Sequence, residues 1–116
     1  MDEITIYRDG TLPLRFTGEE LATASSEAPG KRRWVVVTIY RTDDGRYVVH
    51  GVGVSDVDGE EDRHWATVCN APDDVIEALR RDGADGVRFL PRTSQYALEE
   101  AVELDAGLRD AYVATI

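Results

Sequence analysis

Two histidines, His50 and His64, carry the most versatile chemistry in this chain, because an imidazole can serve as a base, a metal ligand or a pH-sensitive switch. They are its only histidines, and each lies in a run of residues that is typical of a strand. Among the acids between them, carboxylate oxygens could come from Asp56, Asp58 and Asp62. If the two strands pair, these residues predict a small enzyme or ligand-binding domain with a histidine–carboxylate site.

The spacing of the same residues also supports a plainer interpretation. Histidines 14 residues apart match no established metal-ligand spacing. In the acidic loop, Gly59 stands at the wrong position for a calcium-binding loop. The alternative is therefore that both histidines are structural or lie on the surface, and we expect no metal and no cofactor.

A second candidate site is the one basic segment of an acidic chain, residues 31–55. Guanidinium groups bind carboxylates and phosphates through paired hydrogen bonds. Five residues of this segment predict a surface for an acidic partner or an anion: Arg32, Arg33, Trp34, Arg41 and Arg46. The alternative is that these arginines balance neighbouring acids such as Asp43 and Asp44.

The overall charge limits the class of partner. Thirteen basic and 23 acidic side chains give a net charge of −10, which disfavours direct contact with nucleic acid or with an anionic membrane. A lesser hypothesis is that the acidity mimics nucleic acid and inhibits a DNA-binding protein. Because the sequence shows no secretory signal and no apolar run long enough to span a bilayer, we expect a cytoplasmic protein.

Motifs of catalysis are missing from the sequence. The 116 residues contain no Gly-x-Ser-x-Gly elbow, no phosphate-binding glycine loop and no His-Glu-x-x-His motif. Cys69 is the single cysteine, and its place in a strand-like run predicts a buried thiol. We therefore predict no catalytic residue, and a small acidic, non-enzymatic binding or regulatory protein that acts through a protein partner.

The elements that must position these residues begin with two hairpins. Residues 34–54 place β-rich runs on either side of Asp44-Gly45, and residues 4–16 do the same around Asp9-Gly10. An Asp-Gly pair between alternating apolar runs is a strong hairpin signal. Pro13 cannot donate to a strand ladder, so it predicts that the second strand lies at the edge of the sheet.

Further elements follow from residue periodicity and from capping signals. They are a helical turn at Gly18–Ala24, a strand at 63–69, a helix from Pro72 to about Asp82 ended by Gly83, a short strand at 87–90 and a C-terminal helical segment from Thr93 to Ile116 with a cap at Asp105. This order predicts one α+β domain over 1–116. Its twisted antiparallel sheet is packed by one short helix and the C-terminal helical segment.

The strand at 34–40 is largely apolar on both faces. Trp34, Val36, Thr38 and Tyr40 alternate with Val35, Val37 and Ile39, whereas a sheet with one solvated face alternates apolar with polar residues. One helix layer covers a single face, so residues 18–30 or a second copy of the chain must cover the other. We favour a homodimer, because two-fold dimers are the commonest oligomers.

Part of the chain resembles a known family. Arg15-Phe16-Thr17-Gly18 with Leu21-Ala22, followed by Tyr40-Arg41-Thr42, Gly45-Arg46-Tyr47 and Val49-His50, is similar to the middle segment of the actinobacterial EXLDI proteins. The resemblance covers residues 10–55 and implies a bacterial origin. The family's C-terminal Glu-x-Leu-Asp-Ile/Val signature is not reproduced by Glu103-Leu104-Asp105-Ala106. The resemblance implies no catalytic residue.

Overall fold

Five strands pair in chain order to form one antiparallel sheet. They are β1 (Asp2–Ile6), β2 (Leu14–Ser25), β3 (Arg33–Thr42), β4 (Tyr47–Ser55) and β5 (Arg63–Cys69). Three helices follow: α1 (Pro72–Leu79), α2 (Arg92–Val102) and α3 (Ala106–Ala111). The computed structural model describes residues 1–113, so Ile116 lies outside the described residues. The predicted α+β fold is confirmed.

The β3–β4 hairpin forms where the Asp-Gly signal predicts it. The N–H of Gly45 donates to the carbonyl of Thr42 at 3.1 Å, and Gly45 has a φ of +85°. A three-residue loop of this kind needs one residue in the left-handed region, which glycine enters without steric cost. Strand pairing then runs from Arg41 opposite Tyr47 to Arg33 opposite Ser55.

The predictions for β2 were wrong in two respects. Residues Gly18–Ala24 are strand and not a helical turn, because a β-bulge between Glu20 and Ala22 interrupts the period-two pattern. The bulge places Leu21 and Ala22 together in the core, so the sequence loses its alternation there. Pro13 lies in the loop before β2, and β2 is an inner strand between β1 and β3.

Helix α1 is shorter than predicted. It ends at Leu79, and Arg80 is extended with a ψ of 150°. The next residues form a separate two-stranded hairpin, β6 (Arg81–Asp82) and β7 (Arg88–Phe89). Gly83 does not end the helix; it donates its N–H to the carbonyl of Val87 at 2.8 Å within this hairpin.

The helices pack on one face of the sheet, here called the helix-side face. Val75, Ile76 and Leu79 of α1 are buried against it, as predicted. On the sheet this core includes Val37, Ile39 and Val49, of which Ile39 and Val49 are fully buried. The C-terminal segment breaks after α2 and restarts at Asp105, whose carboxylate accepts from the N–H of Leu108, so the predicted cap is confirmed.

The opposite face, here called the open face, carries the alternate residues of the same strands. Its partly exposed side chains include Phe16, Trp34, Val36, Tyr40, His50, Val52, Val54, His64 and Val68. Residues 18–25 form part of the sheet itself, so the idea that the segment 18–30 covers this face was wrong.

The sheet is curled, and two hydrogen bonds between Asp9 and His64 join its first hairpin to β5. The N–H of Asp9, in the loop after β1, donates to the carbonyl of His64 at 3.0 Å. The Asp9 carboxylate in turn accepts from the N–H of His64 at 2.9 Å. This Asp9 clasp brings the first hairpin against β5 at the far edge of the sheet. Ile6 and Val48 are consequently buried although they lie on the open face.

Candidate functional site

A cleft of about 900 Å³ lies at the end of β3 and β4 remote from the Asp44-Gly45 turn. Trp34 and Val54, which pair across the two strands, supply its apolar wall. Charged side chains of both signs surround them: Asp9, Lys31, Arg33, Glu60, Glu61, Asp62 and Arg63. The cleft thus combines residues from the basic segment with residues from the acidic loop at 56–62.

The acidic loop is tied to β3 and β4 by specific contacts. Arg33 donates from Nε and Nη2 to the two oxygens of Glu60 at 2.8 and 2.6 Å. Hydrogen bonds from Arg33 and from the Ser55 hydroxyl lower the pKa of Glu60 to about 2. Asp62 accepts from the N–H of Ser55 at 3.0 Å. These contacts fix the loop as one wall of the cleft.

Arg63 is the cation of the cleft that can take a new ligand most readily. It is exposed and forms no ion pair within residues 1–113. Lys31, by contrast, donates to the carbonyl of Ser26 at 3.1 Å, and Arg33 is held by Glu60. Trp34 and Arg63 both line the cleft, so the cleft offers an aromatic side chain for an apolar group and a guanidinium for a carboxylate.

The five residues predicted from the basic segment do not form one surface. Arg33 and Trp34 line the cleft, and Arg32 pairs with Asp56 at 3.2 Å beside it. Arg41 and Arg46 lie at the opposite end of the hairpin, and they are described next. The predicted partner surface stays a prediction, and the geometry divides it between two ends of β3 and β4.

At that far end both arginines have carboxylate partners within the chain. Arg46 pairs with Asp44 at 2.8 Å. Arg41 bridges Glu19 at 2.6 Å and the buried Asp105 at 3.1 Å. Burial acts to raise the pKa of Asp105, but hydrogen bonds from Leu108, Tyr47 and Arg41 outweigh it and the pKa is lowered. At this end of the hairpin, Arg41 and Arg46 therefore form ion pairs with acids of the same chain.

The two histidines come together on the open face. Their rings stack with centroids 5.7 Å apart and planes 18° apart, because His50 and His64 are diagonal neighbours on adjacent strands. Nε2 of His50 and Nδ1 of His64 are buried without a hydrogen-bond partner. Burial lowers the pKa of His50, and the neighbouring His64 lowers it further.

Within residues 1–113, none of the three carboxylates predicted to join these histidines forms a hydrogen bond or an ion pair with them. Asp56 pairs with Arg32, Asp62 accepts from Ser55, and Asp58 is exposed in the loop. Within residues 1–113, no group of three histidine, cysteine or acidic side chains is placed to hold a metal ion. The two imidazoles thus remain as a pair.

Two residues of the site, Asp9 and Arg63, have no signal of function in the sequence. The sequence predicts only a turn at Asp9, yet its clasp to His64 brings it to the cleft. It predicts only a strand at Arg63. Their proximity to Trp34 depends on the curl of the sheet, which no local pattern records.

Comparisons of the chain with protein-family models, with curated proteins and with solved structures find no match. The resemblance to EXLDI proteins therefore stays a prediction. No helix among residues 1–113 has the length and apolar composition needed to cross a membrane.

Proposed function

We propose that this chain is a non-enzymatic binding protein that acts through a protein partner, and that the cleft around Trp34 takes up a short segment of that partner. The observation that carries the proposal is the meeting of the basic segment and the acidic loop in one cleft. The basic segment is the one for which the sequence predicts a partner surface.

The size and lining of the cleft suit this role. Its volume of about 900 Å³ lies in the range of ligand sites and accommodates a few side chains of an extended segment. Trp34 is half-buried, and partly exposed tryptophans often dominate binding energy at protein interfaces. Arg63 supplies the charge that selects a carboxylate. We therefore propose a partner segment with an apolar side chain next to an acidic one.

Two buried groups with raised pKa values, Cys69 and Tyr47, favour binding over catalysis by these residues. Burial raises the pKa of the Cys69 thiol to about 11, so the thiolate nucleophile is scarce at neutral pH. Burial and the hydrogen bond to Asp105 raise the pKa of Tyr47 to about 12. Efficient proton transfer requires a pKa near the working pH, and both shifts move away from it.

A peptide selection tests the proposal. Peptides are enriched on the chain from a random library, and affinity is measured by Trp34 fluorescence in a Trp65→Phe background. Arg63→Glu should weaken binding about tenfold or more, since it replaces attraction to a carboxylate with repulsion. The matched control is Arg92→Glu, which reverses another exposed arginine that makes no ion pair in residues 1–113; it should change affinity less than about twofold.

Two results would contradict the proposal. One is enrichment of peptides that lack acidic residues. The other is an equal effect of Arg63→Glu and Arg92→Glu, which would place binding outside the cleft.

The stacked histidines favour a second candidate function, a small enzyme or ligand-binding domain on the open face. Each imidazole has one buried nitrogen without a partner among residues 1–113, and a neutral ring has one N–H that can donate to a carbonyl oxygen. Titration with small carbonyl compounds, followed by the nitrogen chemical shifts of His50 and His64, tests this idea. Unchanged shifts would contradict it. Nucleic-acid mimicry stays a prediction from charge alone.

A further inference from the structure

The open face carries apolar side chains along β3, β4 and β5, and within residues 1–113 no helix packs on it. Trp34, Val36 and Val52 are half-buried, and Val68 is 40 % exposed. Apolar surface left in water loses the favourable free energy that a covering layer would supply. We infer that a second copy of the chain covers this face and that the protein is a two-fold homodimer.

The placement of charge favours a copy of this chain over a charged partner. The chain has a net charge of −10, yet on the open face the strand register places charged side chains only at Asp2 and Glu20, near one end. The remaining ionisable groups on this face are Tyr40 and the two imidazoles. Burial lowers the pKa of His50, and the neighbouring His64 lowers it further. Two copies can therefore meet here without opposing like charges, whereas a basic partner would find few carboxylates to bind.

The area of the molecule matches what a dimer requires. The chain exposes 7358 Å², whereas a compact monomer of its 12.9 kDa is expected to expose about 6300 Å². The excess is about 1000 Å², and a standard interface buries about 800 Å² on each partner. The excess over the whole surface is therefore large enough for one interface of standard size.

The symmetry of such a dimer follows from the sheet. Two open faces that pack against each other place the sheets about 10 Å apart, with α1 and α2 on the outside. Both copies use the same set of residues in the contact, as a two-fold interface requires. Arg63 pairs with Gly53 and so belongs to the helix-side face. Trp34 and Val54 lie at the end of the open face that borders the cleft, so the second copy and the partner segment proposed above meet at these two side chains.

Light scattering after size-exclusion chromatography tests the inference with a matched pair of variants. Val68 and Val35 are 40 % and 42 % exposed, but Val68 lies on the open face and Val35 on the helix-side face. The unmodified chain should show twice the 12.9 kDa chain mass at micromolar concentration. Val68→Glu should raise the dimer dissociation constant about a hundredfold, because it buries an unpaired charge, and Val35→Glu should leave the dissociation constant within about twofold.

A more conservative variant distinguishes loss of dimerisation from misfolding. Val68→Thr changes one methyl group to a hydroxyl and should raise the dissociation constant about tenfold with an unchanged circular dichroism spectrum. A monomeric mass for the unmodified chain would overturn the inference. So would dissociation by Val35→Glu combined with unchanged dimers of both Val68 variants, since the interface would then lie on the other face.

Discussion

The two faces of this sheet are built from similar residues and differ in what covers them. On the helix-side face Ile39 and Val49 are fully buried beneath α1 and α2. On the open face Val36 and Val52, which pair across the same two strands, remain half-buried. β-branched residues on both faces of a strand therefore predict that both faces of the sheet are covered. They do not predict whether the second cover is a segment of the same chain or a second molecule.

The largest expected effect separates the two faces directly. Ile39→Ala opens a cavity under the helices and should lower the free energy of unfolding by about 3 kcal/mol, within the range of about 2–5 kcal/mol for buried large-to-small changes. Val36→Ala on the open face is the control and should cost less than about 1 kcal/mol in the monomer. Urea unfolding at low protein concentration measures both. Equal losses would show that the faces contribute equally to the monomer.

The second effect concerns the network that joins the helix layer to the sheet. Asp105 is 3 % exposed and accepts from Arg41, Tyr47 and the N–H of Leu108. Asp105→Ala leaves the Tyr47 hydroxyl and the Leu108 amide without an acceptor and should lower the free energy of unfolding by about 2–3 kcal/mol. Asp110→Ala, an exposed acid of α3, should change it by less than about 0.5 kcal/mol. Similar melting temperatures for the two variants would contradict this role of Asp105.

The smallest effect belongs to the open face. Because the folded-state pKa of His50 is lowered, the unfolded chain binds a proton there more readily than the folded chain. The contribution of His50 to stability is therefore fully present above its ordinary pKa of about 6.5 and is lost as pH falls from there through the lower folded-state pKa. His50→Asn should flatten the decline in unfolding free energy between pH 7 and pH 5. An unchanged slope would show that another group causes the decline.

Short-range patterns predicted much of the fold and little of the site. The Asp44-Gly45 turn, the start of α1 at Pro72 and the cap at Asp105 each depend on neighbouring residues, so the sequence predicts them correctly. The β2 strand was misread because its bulge at Glu20 and Ala22 breaks the local period. The cleft joins Asp9, Trp34 and Arg63, which only the curl of the whole sheet brings together.

The Asp9 clasp has a consequence for the size that assemblies of this protein can reach. A bare strand edge offers its amides and carbonyls to any other strand, and chains that meet edge to edge grow into fibrils. At β5 the N–H and the carbonyl of His64 are both already bonded to Asp9, so no foreign strand can pair there without displacing the loop. The Asp9 clasp therefore prevents assemblies from growing by strand pairing at His64, and an association through the faces of the sheet leaves this contact intact.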